Sequence, residues 1–313
     1  MMDTGNTGHL IRSEVWSSQL KEVLEDELMG QGYVNWMSEF PDGTSFTIPS
    51  IGQAQTDDYT ENASVQYRAL DTGQFQFTIG KYKSSGNYIT NKAKQDAYYM
   101  NQLVSSFVPK QARAIMETLE TDIMALSAKQ TASNSNSVNG AEHRFVGTGT
   151  NEVIAVADFA KARYALKKAN VPDRNLIAIV DPSVEYAMNT LTNITNVSNN
   201  PRWEGIITSG IASGMSFLAN IYGFDVYTSN YLADANEQIG GSGPTTAAGK
   251  ANMFFSADPT VLPFIGAWRQ MPQVDSEYNK DYQREEYVTT ARYGVDLYRP
   301  ENLVCVLTDT DQV

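Results

Sequence analysis

From Asn91 to Gln130, apolar side chains fall at Met100, Leu103, Val104, Phe107, Val108, Ile115, Met116, Leu119, Ile123 and Leu126. That spacing is a stripe with a period near 3.6 residues, the mark of a helix that buries one face. Uninterrupted, it would make a rod about 60 Å long, since each helical residue rises about 1.5 Å. Few compact enzymes use so long a rod, so the stripe points to an extended architecture. Pro109 stands inside it. A proline removes one backbone bond and crowds the preceding turn. The sequence therefore predicts a long helix kinked or split at Pro109.

The segment ahead of this helix has the opposite character. "TSFTIPSI" (44–51) and "SVQYRALDTGQFQFTIG" (64–80) are rich in β-branched and aromatic residues. They alternate with period two, with Phe75, Phe77 and Ile79 on one face and Gln74, Gln76 and Thr78 on the other. The polar run "GQAQTDDYTENA" lies between them, so residues 44 to 82 read as a long two-stranded ribbon with a flexible tip. Before it comes a polar, Gly-rich start and a helical pattern through Val15, Leu20, Val23, Leu24 and Leu28.

After the long helix the pattern is that of an α/β region. "DFAKARYALKKANV" reads as a helix with Asp158 at its N-cap, and "NLIAIV" as a fully apolar strand. In "DPSVEYAMNTL", Asp181 can cap a helix whose first turn holds Pro182. Strands follow in "GFDVYTSNYL" and "NMFFSADPTVLPFIGAW". The closing "REEYVTTARYGVDLYRPENLVCVLT" alternates again and reads as two strands paired with each other. The fold class is α+β.

Charge removes one class of function. Lys and Arg number 23 against 36 Asp and Glu, a net charge of −13. Binding nucleic acid by counterion release needs a basic surface, and no basic cluster here exceeds Lys167-Lys168. The single cysteine, Cys305, allows no internal disulfide framework and fits a reducing compartment. No apolar run is long enough to cross a bilayer as a helix.

Each candidate catalytic motif has a structural alternative. Asp71-Thr72-Gly73 matches the tripeptide of aspartic proteases, whose chemistry needs two carboxylates sharing a proton. Asp3-Thr4-Gly5 repeats it in a polar terminus, without the apolar strand that holds such a motif. Between alternating strands, "LDTGQ" reads better as a hairpin or bulge, with Gly73 in the left-handed conformation. The Gly-rich loop at 240 to 251 fails as a phosphate-binding loop, because Pro244 and Ala251 stand where Gly and Ser or Thr are required. His9 and His143 lie far apart, so no transition-metal site is expected. Cys305, within "LVCVL", reads as a small buried hydrophobe. The sequence thus calls for no catalytic residues, no cofactor and no metal, and for a protein that is not an enzyme.

An isolated two-stranded ribbon is marginal in water. Aromatics such as Tyr67, Phe75 and Phe77 on one imply a covering surface, and symmetric assembly offers a neighbouring copy of the chain. The order of parts, from arm to ribbon, long helix, α/β region and final strands, resembles the major capsid proteins of tailed bacteriophages with the Hong Kong 97-like fold. "LIAIVDPSVEYAM", "IYGFDVYTSNYL" and "RYGVDLYRPENLVCVL" are similar to stretches of that family. "DFAKARYALKKANVPDRNLIAIVDP" looks especially like capsid proteins of short-tailed phages.

The resemblance implies a division of the chain. Residues 1–43 would be an N-terminal arm and 44–85 the extended E-loop lying over an adjacent subunit. Residues 86–150 would form the peripheral domain with its spine helix, 151–265 the axial domain, and 266–313 strands returning to the peripheral domain. It places Tyr59, Tyr67, Arg68, Asp71, Gly73, Phe75 and Phe77 in the assembly interface. It implies self-assembly into pentamers and hexamers of an icosahedral shell around double-stranded DNA, lying beside the DNA without gripping it. Assembly would occur in a host bacterial cytoplasm and end in the virion. A portal and a separately encoded scaffolding protein are the expected partners, with no membrane involved. Three alternatives stand beside it: an encapsulin-type nanocompartment shell of the same fold, a hydrolase using Asp71, and a tail-tube or adhesin subunit.

Overall fold

The computed structural model describes residues 28–38, 45–51, 56, 58, 61, 64, 72–96, 100–130, 137–190, 217–238 and 249–310. In chain order they form β1 (Val34–Met37), β2 (Ser45–Ile51), β3 (Thr72–Thr78) and β4 (Lys81–Thr90). Helices α1 (Asn91–Asp96) and α2 (Met100–Met124) follow, then short strands β5 (Ser137–Val138), β6 (Ala141–Glu142) and β7 (Arg144–Val146). Next come α3 (Val156–Lys168), β8 (Leu176–Val180), α4 (Pro182–Thr190), β9 (Phe217–Ile221) and β10 (Phe224–Thr228). Strands β11 (Lys250–Ser256), β12 (Phe264–Asn279), β13 (Arg284–Leu297) and β14 (Val304–Thr308) complete the chain.

Two sheets organise these elements. The first has six strands in the order β7-β14-β11-β8-β10-β9. All five residues of β8 are buried, because both faces of this sheet are covered. Leu176, Ala178 and Val180 join Phe159 and Leu166 of α3 and Val184 and Met188 of α4. Ile177 and Ile179 point the other way, toward Leu119 and Ile123 of α2 and toward Phe264 and Tyr293 of the second sheet. The second sheet has the order β1-β12-β13-β4.

α2 is the predicted long helix, and it runs through Pro109 as one element of 25 residues. It is not split there. Pro109 is exposed, so the helix forgoes one backbone bond on the solvent side. At 1.5 Å per residue α2 is about 38 Å long. Ile115, Leu119, Ile123 and Met124 are its buried stripe.

Three local readings are corrected. Asp158 is not the N-cap of α3 but its third residue. Its carboxylate accepts from the N–H of Ala155 (2.7 Å) and from the N–H (3.0 Å) and hydroxyl (2.7 Å) of Thr148. It still serves the helix N-terminus, from one turn inside. Second, the last two strands do not pair with each other. β13 lies between β12 and β4, whereas β14 lies between β11 and β7 in the other sheet. Alternation marks a strand without naming its partner. Here the turn at 280–283, with Gln283 at φ 48°, closes β12 onto β13 instead. Third, Gly73 is neither a hairpin tip nor left-handed; it sits within β3 opposite Ser50. A Cβ there would meet the Ser50 hydroxyl oxygen at 2.6 Å, so glycine serves a close cross-strand approach. Asp181 and Pro182 start α4 as the sequence predicts, with the Asp181 carboxylate accepting from the Ser183 N–H at 3.0 Å.

Candidate assembly surface

Two features stand apart from the layered core: the β2–β3 ribbon and a three-stranded blade. In the ribbon, β2 and β3 are antiparallel from Ser45 opposite Thr78 to Ile51 opposite Thr72. The predicted alternation holds. Phe77 and Ile79 are buried, Phe75 is half-buried, and Gln74, Gln76 and Thr78 are exposed. The cover, however, comes from the chain itself. Phe77 and Ile79 pack on Ile265 and Ala267 of β12, with Met37, Ile48 and Tyr298 around them. Phe75 meets Tyr298 edge-on with ring centroids 5.2 Å apart. Phe77 is fully buried, so the expectation that it waits for a neighbouring copy is corrected: it anchors the ribbon to its own subunit. Tyr59, Tyr67, Arg68 and Asp71 lie outside the described residues, as do the N-terminal helical pattern, His9 and most of the 240–251 loop.

The blade is the distal part of β12, β13 and β4. β1 pairs with β12 only as far as Ala267, while β12 and β13 continue together to Asn279 and Arg284. α2 covers one face: the Thr289 hydroxyl, fully buried, donates to Gln111 Oε1 at 3.0 Å. Lower down, Asp122 of α2 takes the Lys81 ammonium at 2.6 Å and the Tyr293 hydroxyl at 2.7 Å. Burial, then that carboxylate, pushes the Tyr293 phenol far up. At the far end Lys94 of α1 bridges Glu285 at 2.5 Å, which holds the Glu285 carboxyl below its ordinary range. Tyr82, Tyr88, Met271 and Tyr282 are among the most exposed large apolar side chains described, and all belong to this blade or its end turn. Sequence reasoning missed them. The usable signal was the length of alternation through "REEYVTTARYGV", longer than one sheet layer needs to cross the core.

The polar groups of the interior serve structure. Cys305 is fully buried, and burial pushes its thiol up to about 11. Arg144, also buried, is paired with the Glu237 carboxylate and donates to the Ser127 carbonyl at 2.9 Å. Among the described residues no group of three or more His, Cys, Asp or Glu side chains could hold a metal ion. No described helix is long and apolar enough to cross a membrane.

His143 is buried with Nδ1 3.0 Å from the Ala141 carbonyl and Nε2 3.2 Å from that of Glu301. Burial lowers its pKa below the ordinary 6.5, against the two carbonyls, which raise it. The folded chain therefore binds fewer protons here than the unfolded one once pH falls through 6.5. Urea denaturation at pH 7.5 and 5.8 should show lower stability at the acidic value. His143→Gln, which cannot titrate, should remove that part of the difference.

The family model for phage capsid protein matches residues 74–306. The chain belongs to the phage capsid protein family. It is a structural subunit of a capsid, and the match spans the anchored end of the ribbon, the blade and both sheets. Solved structures show the same fold over nearly the whole capsid protein. The capsid of Cyanophage P-SCSP1u matches with TM-score 0.74 and 14% identity, covering 97% of this chain and 94% of that one. The Cyanophage Pam1 capsid matches with TM-score 0.72 and 14% identity, covering 99% of both chains. A chain of Mycobacterium phage Che8 matches with TM-score 0.69 and 15% identity, covering 94% and 96%. These likenesses agree with the Hong Kong 97-like architecture read from the sequence. A search of curated proteins finds no match.

Proposed function

We propose that this capsid protein closes into an icosahedral shell that encloses the double-stranded DNA of a tailed phage. The observation that carries the reading is the family match across 74–306, which spans both sheets and the blade. In this reading the ribbon is the E-loop, α2 with the four-stranded sheet is the peripheral domain, and the six-stranded sheet with α3 and α4 is the axial domain; β7 and β14, which the sequence division gave to the peripheral domain, then fall in the axial one, and β1, given to the arm, in the peripheral one. Each contact can be weak, because closure repeats it over the whole shell and weak contacts let misplaced subunits leave. A net charge of −13 suits a wall that packaged DNA slides past, with the acidic side chains turned inward. A portal and a scaffolding protein are the partners that such a shell requires, and the host cytoplasm is where it would form.

The test is electron microscopy of the protein produced in bacteria, alone and together with a candidate scaffold from the same source. Closed particles of uniform diameter are the expected result. A chain that stays monomeric at high concentration in both cases would overturn the reading. Shells that hold an enzyme in place of DNA when isolated from the natural source would move it to the nanocompartment class.

A further inference from the structure

We infer that the blade of one subunit is overlapped by the blade of a second copy, with the lysine rim of one copy on the open face of the next. The contact rests on the shell reading above and names the surfaces that meet.

The register decides which side chains share a face, because directly opposed residues on neighbouring strands point the same way. Lys83 opposes Ala291 and Ser85 opposes Thr289, so Lys83 rises from the face that α2 covers. α1 lies on that same face, since its Lys94 reaches Glu285, and Glu285 shares the parity of Thr289. The β4–α1 edge carries Lys81, Lys83, Lys92 and Lys94 with no acidic residue between 81 and 95, in a chain that is otherwise acidic. Lys81 and Lys94 are neutralised by Asp122 and Glu285. Among the described residues Lys83 and Lys92 form no ion pair.

The opposite face is open. Asp275 opposes Val288, Glu277 opposes Glu286 and Tyr88 opposes Glu286, so all these side chains project away from α2. Asp275 and Glu277 are exposed and, among the described residues, also lack an ion pair. The one arginine at this end of the face, Arg284, is already held by Glu286 at 2.6 Å and lies over the Tyr88 ring. Arg292, opposite Tyr82, stands nearer the root.

Two uncompensated cations on one side and two uncompensated anions on the other make the blade complementary to itself, but not across a twofold axis. A contact between unlike surfaces of identical chains is heterologous, the kind that generates rings. Lys83 and the two carboxylates project from opposite faces, and Lys92 stands on α1, which lies on the Lys83 face, so the copies overlap like shingles and do not extend one sheet edge to edge. Tyr82 and Tyr88, 61% and 60% exposed, supply apolar area on the receiving face. A second copy is the occupant because both halves of the match lie on this chain.

Charge reversal tests this. Lys83→Glu with Lys92→Glu should give at least about tenfold fewer closed particles than wild type, because like charges are then set against each other. Asp275→Lys with Glu277→Lys should do the same. The chain carrying all four changes should recover assembly to within about threefold, since every contact is then complementary again. Either pair alone assembling like wild type, or the fourfold variant failing to recover, overturns the inference. All four positions are exposed or half-buried on the surface, and far-UV circular dichroism with melting of the unassembled chains checks that each variant folds. The milder pair Lys83→Gln with Lys92→Gln should flatten the salt dependence of assembly, and an unchanged dependence counts against the contact. If the wild-type chain forms no particles either alone or with the scaffold, the shell reading fails; if only the reversals are silent, this contact alone fails.

Discussion

Replacing Phe77 with alanine should lower the stability of the unassembled subunit by about 3–5 kcal/mol, the range for emptying a buried phenylalanine site. The side chain is fully buried within a cluster of apolar side chains. Ile265 and Ala267 of β12 lie beneath, Ile79 and Phe75 of its own segment beside it, and Tyr298 at the edge. Gly294 of β13 completes the seat: a Cβ there would stand 2.8 Å from the Thr78 carbonyl oxygen and 3.1 Å from Phe77 Cζ. The site cannot collapse around a truncated side chain, because β12 and β13 are fixed by their own pairing. The control is Gln76→Ala, one residue away on the exposed face, which should stay within about 0.5 kcal/mol of wild type. Denaturant midpoints of both variants under conditions that block assembly give the comparison. A loss below about 1 kcal/mol for Phe77→Ala would mean that the ribbon is not anchored through this residue. The variant should also assemble poorly, because a ribbon loosened at its root cannot hold its outer part in one direction.

Phe77 also shows how far the sequence could be read. Period two placed Phe75, Phe77 and Ile79 on one apolar face, and that face exists. What alternation cannot carry is the identity of the surface opposite. Both a neighbouring copy and the chain's own β12 present apolar side chains, and the choice is made by contacts more than 180 residues apart. β14 teaches the same lesson. "LVCVL" reads correctly as a buried strand, yet its place between β11 and β7 depends on backbone pairing that leaves no local trace. Pro109 differs, because the kink or split that a proline favours is a local rule, and of the two the split does not occur. A long apolar stripe packed on two sheets stabilises α2 by more than one missing backbone bond costs. The capping pair Asp181 and Pro182 was legible because a cap needs only neighbours in sequence. The blade was missed because its open face is polar enough to resemble ordinary surface strands.

Glu237→Gln should cost about 3 kcal/mol, close to the loss from breaking a buried ion pair on one side. Arg144 is the reason. Its side chain is 3% exposed, where an uncompensated guanidinium is poorly solvated, while Glu237 keeps 25% of its side chain in water. The arginine would keep its bond to the Ser127 carbonyl, at the end of the helical segment that continues α2, and would face a neutral amide oxygen in place of the carboxylate. That carbonyl end carries partial negative charge, which offsets part of the loss and keeps the expected effect at the low end. Replacing both partners with apolar residues, Arg144→Met with Glu237→Leu, should recover most of the stability, because no charge is then left buried. The Ser127 carbonyl would keep the Gln130 N–H as a donor at 3.2 Å. Denaturation of Arg144→Met, of Glu237→Leu and of the double variant measures the coupling directly. A double variant as unstable as Glu237→Gln would show that the pair does more than neutralise itself. The strap at 229–238, which Glu237 ties to β7, would then need that carboxylate for its own conformation.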